Sequence, residues 1–200
     1  MSYTVFSKFR IECSEEILSE YERLFFNLSG YPENIELEDF FKGLGKNLEE
    51  YGWQETTIRK VEINKNENIL QFEMLSSWNI DYKKFSELFE HKGSKCYFWY
   101  CSQDNVDDDF GTNDIESKYF CKFCTIFDGE ENFVWDVDEV RDLVLNYGYS
   151  FDEDEENRFV EFINEVFDAD TSKRLFSESK DFETDNGTLD IELVKARIYE

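Results

Sequence analysis

Apolar and polar residues follow strand and helix periods through the first part of the chain. Residues 3–12 alternate between polar and apolar, as in a strand with one buried face. After Ser14, apolar residues recur at helical spacing up to Leu28, and Gly30-Tyr31-Pro32 ends this predicted helix. The same periods predict a second helix at residues 36–51, strands at 56–64 and 68–76, a short helix at 81–92, and strands at 95–102 and 117–127.

The last third of the chain changes to helical patterns separated by polar segments. The predicted elements are a strand at residues 132–137, amphipathic helices at 138–147 and 152–167, and, after a polar segment at 177–188, a last strand at 189–199. This order of elements indicates an α+β fold. We therefore expect an α+β domain over residues 1–127. Residues 128–200 are expected to form an acidic α-helical extension with a terminal strand, either packed on that domain or separate from it.

The charge of the chain is strongly negative and unevenly distributed. The sequence has 47 Asp+Glu against 21 Lys+Arg, which gives a formal net charge of −26. Residues 1–100 have 12 basic and 18 acidic side chains (−6), and residues 101–200 have 9 and 29 (−20). This density disfavours direct binding to nucleic acid or to anionic membranes, whose phosphates need cations. It favours a basic protein partner.

The remaining composition indicates a folded protein of the cytoplasm. Hydrophobic residues make up 40 % of the chain and 21 of them are Phe, which is more apolar surface than a disordered acidic tail contains. The N-terminus lacks a basic segment followed by an apolar one, and no apolar run is long enough to cross a membrane. Five cysteines, an odd number, favour reduced thiols.

Four of the cysteines raise the question of a zinc site. Cys121 and Cys124 form a CxxC pair, and Cys96 and Cys101 precede it. Zinc-binding CxxC pairs usually lie on tight turns, whereas this pair lies in a predicted strand, where a separation of three places the two side chains on opposite faces. We expect small buried side chains and no metal or other cofactor, with metal binding by the four cysteines as the open alternative. A redox role is disfavoured because no helix start follows Cys121 to lower the pKa of its thiol.

The sequence contains no recognisable catalytic motif. There is no phosphate-binding glycine loop, no dinucleotide fingerprint and no nucleophile elbow. His91 is the only histidine, and its position at the end of a predicted helix suits its charge. We therefore expect a protein that is not an enzyme. An enzyme that uses a carboxylate-bound metal or a thiol is the less favoured alternative.

Residues 104–116 contain six carboxylates and no Lys or Arg. An EF-hand loop with Gly111 at its sixth position would start at Val106 and end at Ser117, so the ligand pattern fails, and a calcium site of another kind stays open. We expect a solvated loop with Gly111 in a turn conformation and Phe110 packed inward. Its carboxylates would form a charged rim that contacts a partner: Asp104, Asp107, Asp108, Asp109, Asp114 and Glu116.

The predicted helix at 152–167 is the second acidic candidate. Val160, Ile163 and Val166 mark its buried side, while acidic residues continue along the other side. The helix dipole accounts for part of the acidity of the first turn. The carboxylates predicted to contact a partner are Asp152, Glu153, Asp154, Glu155, Glu156, Glu161 and Glu165.

A family resemblance covers about residues 76–120. Ser76-Ser77-Trp78 precede a helix with Phe85 and Leu88, and an aromatic strand, 97–100, and an acidic loop ending in Asp109-Phe110-Gly111 follow. In this order the features resemble the YubB/Api-like ferredoxin-like domain family of phage and plasmid proteins. The resemblance implies a ferredoxin-like antiparallel sheet with helices on one face, and a mobile-element context. It implies no defined enzymatic chemistry.

Two non-enzymatic functions agree with this combination. The first is an inhibitor that mimics nucleic acid and blocks a basic nucleic-acid-handling protein, such as an anti-CRISPR protein of a phage acting on a Cas nuclease. The second is an immunity protein whose acidic surface covers the active site of a bacterial toxin. We favour the first because of the phage-like resemblance.

Overall fold

The computed structural model describes residues 4–29, 34–46, 56–77, 80–90, 92–102, 110–127, 129–168 and 176–199. The protein is a mixed α+β chain with large antiparallel sheets. Its internal contacts divide it into two compact units, Met1–Asn105 and Val106–Glu200.

The described residues of the first unit form five strands and three helices. In chain order they are β1 (Val5–Glu12), α1 (Glu15–Ser29), β2 (Asn34–Glu36), α2 (Leu37–Gly43), β3 (Thr56–Asn64), β4 (Ile69–Ser76), α3 (Tyr82–Ser86) and β5 (Lys95–Ser102). The strands lie in the order β5-β1-β4-β3-β2, and all neighbours are antiparallel. The neighbouring strands β1 and β4, in the middle of the sheet, are more than 50 residues apart in the sequence.

One face of this sheet holds an aromatic core. Phe9 of β1 lies opposite Phe72 of β4 and Phe98 of β5 in the strand register, and its ring lies 5.0 Å and 6.3 Å from theirs. Phe85 of α3 packs 4.9 Å from Phe9, and Phe25 of α1 packs 6.1 Å from Phe72. The helices thus cover the face on which the alternating apolar residues of β1 lie, which is why that alternation was visible in the sequence.

In the second unit, the part of the chain that the structure describes forms six strands and two helices. They are β6 (Gly111–Thr112), β7 (Phe123–Phe127), β8 (Glu130–Val134), α4 (Val137–Asn146), α5 (Glu153–Asp168), β9 (Phe176–Thr184), β10 (Gly187–Lys195) and β11 (Arg197–Ile198). Four strands form an antiparallel sheet in the order β8-β7-β10-β9. The two short strands β6 and β11 pair in parallel.

Both helices of the second unit pack on one face of its four-stranded sheet. Phe182 of β9 lies 5.3 Å from Phe159 and 5.7 Å from Phe162 of α5, measured between ring centroids. Val140 and Val144 of α4 belong to the same buried cluster. No helix among the described residues of this unit covers the opposite face of the sheet.

Several predicted elements differ from the structure. The boundary between the units lies at residue 105 rather than 127, because β7 pairs with β10 and so belongs to the second unit. That unit is accordingly a sheet covered by two helices rather than a helical extension with one strand. Residues 177–188, for which no strand was predicted, form most of β9, the turn after it and the start of β10, and Gly111 lies in β6 instead of a turn. The predicted strand at 117–127 is shortened to β7.

Candidate functional site

Three of the seven carboxylates predicted on the last helix have structural roles in α5. Asp152 caps the helix, since its Oδ1 accepts a hydrogen bond from the backbone N–H of Glu155 at 2.9 Å. Glu155 forms an ion pair with Arg158, one turn further along. Glu156 forms an ion pair with Arg141 of α4 at 3.0 Å. These contacts position the start of α5 on the unit.

The other four carboxylates form what we call the α5 acidic face: Glu153, Asp154, Glu161 and Glu165. All four are exposed, and the part of the chain that the structure describes supplies no ion pair or hydrogen bond to any of them. At 100° per residue, Asp154, Glu161 and Glu165 lie on the side of α5 opposite the buried Phe159 and Ile163, and Glu153 lies at the edge of that side. The helix dipole favours acidic residues in the first turn but not Glu161 and Glu165, whose i,i+4 repulsion destabilises the helix slightly.

The predicted rim of the acidic loop is only partly described. Asp104, Asp107, Asp108 and Asp109 lie outside the described residues. Glu116 is exposed, as the prediction requires for a contact residue. Phe110 is buried, as expected, and its ring lies 5.3 Å from that of Phe133.

The prediction that Asp114 belongs to the charged rim is wrong. This residue is buried, with 1 % of its surface exposed. Its Oδ2 accepts hydrogen bonds from the backbone N–H groups of Tyr119 at 2.6 Å and Phe120 at 2.9 Å. Its own N–H donates to Oγ1 of Thr112 at 3.0 Å. The side chain therefore holds the loop between β6 and β7 and is not available to a partner.

We expect Asp114→Ala to lower the free energy of unfolding by about 3 kcal/mol, because the half-buried backbone N–H groups of Tyr119 and Phe120 lose a charged acceptor. The exposed Glu116→Ala, two positions away, is the matched control and should change stability by less than about 0.5 kcal/mol. Chemical denaturation of both variants measures the difference. Equal midpoints for the two variants would show that the buried carboxylate does not hold the loop.

A second acidic surface, which we call the sheet acidic patch, lies on the helix-free face of β9 and β10: Asp181, Glu183, Asp190 and Glu192. Asp181 and Asp190 are exposed and directly opposite each other in the strand register. Hydroxyl groups of the neighbouring strand donate to three of the carboxylates, as in the 2.6 Å bond from Ser179 to Asp190. The sequence indicated that residues 178–185 are acidic, but these carboxylates were not among the predicted contact residues, and the strand that places them opposite β10 was not predicted.

Asp181→Asn should stabilise the protein by about 0.5 kcal/mol, because like charges directly opposite on antiparallel strands repel. The gain should shrink at high salt, where the repulsion is screened. Thermal unfolding at low and high salt measures both effects. Glu178→Gln, which removes an exposed charge of β9 that lies opposite Leu193, is the control and should give a smaller gain. If the two variants behaved alike, the cross-strand pair would not be the source of the repulsion.

The cysteines are placed as buried side chains. Cys96, Cys101, Cys121 and Cys124 expose between 0 % and 8 % of their surface, and all are free thiols. Burial raises the pKa of the Cys96 thiol well above its ordinary value, which disfavours the reactive thiolate. In the described parts of the chain, no three His, Cys, Asp or Glu side chains lie close enough together to hold a metal ion. His91 lies outside the described residues.

The helix-free face of the first unit has a different character from either acidic surface. The ring of Phe6 lies 6.1 Å from that of Trp99, and the ammonium of Lys8 lies within 6 Å of both ring centroids, at 5.6 and 5.9 Å. Arg59 forms an ion pair with Glu73 at 3.3 Å. The face mixes aromatic, basic and acidic side chains, so the concentrated acidity of the chain lies in the second unit.

The formal net charge of each unit also shows that most of the acidity lies in the second unit. Residues 1–105 have 12 basic and 19 acidic side chains (−7), and residues 106–200 have 9 and 28 (−19). None of the helices among the described residues is long and apolar enough to span a membrane.

Comparison with known proteins gives no match to a family model, to a curated protein sequence or to a solved structure.

Proposed function

We propose that this chain is a non-enzymatic acidic inhibitor that binds and blocks a basic nucleic-acid-handling protein. Its carboxylates would take the positions that nucleic acid phosphates occupy in the groove of that partner. The context we propose is counter-defence by a phage or mobile element in the bacterial cytoplasm, with a Cas nuclease as the representative partner.

The α5 acidic face is the observation that carries this proposal. Four exposed carboxylates lie on one helix, and no ion pair among the described residues engages them, because Arg158, the basic residue within α5, pairs with Glu155. From Glu153 to Glu165 they extend over about 18 Å of helix axis, at 1.5 Å per residue. One strand of duplex DNA presents a phosphate every 3.4 Å along its axis, or about five over that length. The density of charge on α5 is thus close to that of a nucleic acid strand.

The energetic cost of this arrangement supports a role in binding. Glu161 and Glu165 repel along the helix, and Asp181 and Asp190 repel across the sheet, so each pair lowers stability by a few tenths of a kcal/mol or more. Solubility needs only a modest net charge. A surface that keeps repelling pairs on regular elements is better explained by a cationic partner that relieves them.

We further propose that the first unit is a ferredoxin-like domain. Its support is the connectivity β1-α1-β3-β4-α3-β5 combined with the strand order β5-β1-β4-β3, in which each β-α-β crossover skips one strand. The additional β2 and α2 fall between α1 and β3. This topology agrees with the resemblance seen near residues 76–120, which stays a prediction.

Affinity capture from a native host tests the proposed function. The tagged chain should retain a basic protein that handles nucleic acid, and the complex should dissociate as salt is raised, because the contact is electrostatic. Capture of a bacterial toxin in its place would identify the immunity function. Retention of a neutral or acidic protein in a salt-resistant complex would refute both.

A further inference from the structure

A cavity of about 120 Å³ opens between α4 and the start of α5 in the second unit. It is lined by Arg141, Leu145, Ser150, Phe151, Glu156 and Phe159. An apolar cavity of about 150 Å³ is large enough to bind benzene, so this one has room for the end of an aliphatic or aromatic side chain.

The base and one wall of this cavity are apolar. The rings of Phe151 and Phe159 stack with their centroids 4.8 Å apart. Leu145 stands beside them with 59 % of its surface exposed, although it follows the fully buried Val144 on α4. An apolar side chain that is open beside an apolar cavity loses contact with water when another molecule covers both, and this burial is favourable.

The rim of the cavity is acidic. Asp142 precedes Leu145 by three residues on α4, and Glu153 precedes Glu156 by three on α5, so each lies next to a lining residue. The single cation of the lining, Arg141, is engaged by Glu156 at 3.0 Å and Asp138 at 3.9 Å. The charge around the apolar opening is therefore negative, and it complements a basic segment.

The loop on the third side of the cavity is held in place by hydrogen bonds. The backbone N–H of Asp185 donates to the carbonyl of Ser150 at 3.1 Å, and the Ser150 hydroxyl donates to the Asp185 carboxylate at 2.6 Å. The side-chain amide of Asn186 donates to the carbonyl of Gly148 at 2.5 Å. Because the loop is fixed before binding, little conformational entropy would be lost when the cavity is filled.

We propose that this cavity is an anchor pocket for one aliphatic or aromatic side chain within a Lys/Arg-rich segment of the partner. This inference rests on the proposed function and adds to it a defined point of attachment. Acidic surfaces give fast association and a preference for cations, whereas a buried apolar anchor gives much of the affinity and the choice of partner. The partner is thus expected to be basic and to expose one large apolar residue.

Two synthetic peptides test the anchor without altering the protein. One alternates Lys and Ala around a single central Leu, and the other has Ala at that position. Binding is measured by fluorescence anisotropy at low and high salt. Both peptides should bind at low salt, and the Leu peptide should bind about tenfold more tightly, as expected for burying one Leu side chain.

Leu145→Glu separates the anchor from simple charge attraction. The variant adds a negative charge, so an interaction by charge alone would become tighter or stay the same. The anchor pocket predicts the opposite: the Leu peptide should bind about tenfold more weakly and lose its advantage over the Ala peptide. Phe26→Glu on α1 adds the same charge at a side chain of similar exposure, 57 %, and is the matched control.

The outcomes distinguish failure of the anchor from failure of the function. The anchor pocket is overturned, but the proposed function is not, if the two peptides bind equally well. The same holds if the Leu145→Glu variant binds the Leu peptide as tightly as the unaltered protein does. If neither peptide binds at low salt, the proposal of a basic partner is overturned as well. If Leu145→Glu lowers the melting temperature, the comparison of the two peptides on the unaltered protein decides.

Discussion

Replacing the four carboxylates of the α5 acidic face with amides will weaken binding to the basic partner about 100-fold, because the charges that steer and hold that partner are lost. The variant contains Glu153→Gln, Asp154→Asn, Glu161→Gln and Glu165→Gln. None of these side chains has a structural partner among the described residues, so the fold should be retained. The melting temperature should stay the same or rise, since the repulsion between Glu161 and Glu165 is removed.

The sheet acidic patch provides a matched control for this variant. The control variant removes the same number of charges from the opposite face of the second unit. It contains Asp181→Asn, Glu183→Gln, Asp190→Asn and Glu192→Gln. Binding to a Cas nuclease, or to the captured partner, is measured for both variants by isothermal titration calorimetry over a range of salt. The α5 variant should have the weaker binding and the shallower salt dependence. Equal losses in the two variants would show that net charge matters and that the α5 acidic face does not.

Phe182→Ala will lower the free energy of unfolding of the second unit by about 3–5 kcal/mol, because a large aromatic side chain is removed from a fully packed site. Phe182 is 1 % exposed. Its ring contacts those of Phe159, Phe162 and Phe151 at 5.3, 5.7 and 6.2 Å, so the cavity would open between α5 and the sheet. Loss of this contact should also weaken partner binding, since α5 would no longer be held rigidly.

Hydrogen exchange and chemical denaturation test this prediction together. The amides of α5 and β9 should lose protection, and the denaturation midpoint should fall. Trp135→Ala removes an aromatic side chain of the same unit that is 41 % exposed, and it should leave both measurements almost unchanged. If α5 remained protected in Phe182→Ala, the attachment of the helix would depend on other contacts.

Elements with one covered face were predictable from the sequence. In β1, the residues Val5, Phe9 and Ile11 are buried, and the alternation that predicted the strand is the consequence of that covered face. In α5, the buried Phe159, Ile163 and Val166 recur at helical spacing for the same reason. Both predictions are confirmed, with bounds that differ by a few residues.

Strand β9 was not predictable in the same way. Its outer face is polar, with Ser177, Ser179 and Asp181, and Phe182 is the one side chain of its described part that is fully buried. The strand forms because the backbone groups of β10 pair with it over its whole length, and this pairing is independent of side-chain pattern. The boundary between the units was missed for a related reason, since the pairing of β7 with β10 joins residues that are distant in sequence.

The acidic residues show how far charge alone can be interpreted. Asp114 and Glu116 are two positions apart in one acidic segment, yet the first is buried and the second is exposed. The difference arises because two backbone N–H groups of the folded loop, those of Tyr119 and Phe120, point at the first. Sequence could identify the acidity of the segment, but not which carboxylates the backbone uses.

Displacement of nucleic acid tests the central claim most directly. The protein is titrated into a complex of a Cas nuclease, or of the captured partner, with labelled DNA, and both bound DNA and cleavage are followed. We expect DNA to be displaced and cleavage to stop as a complex with the protein forms, with an apparent affinity that falls as salt rises. If the DNA stays bound and is still cut at saturating protein, and no salt-sensitive complex forms, the protein is not a nucleic-acid mimic.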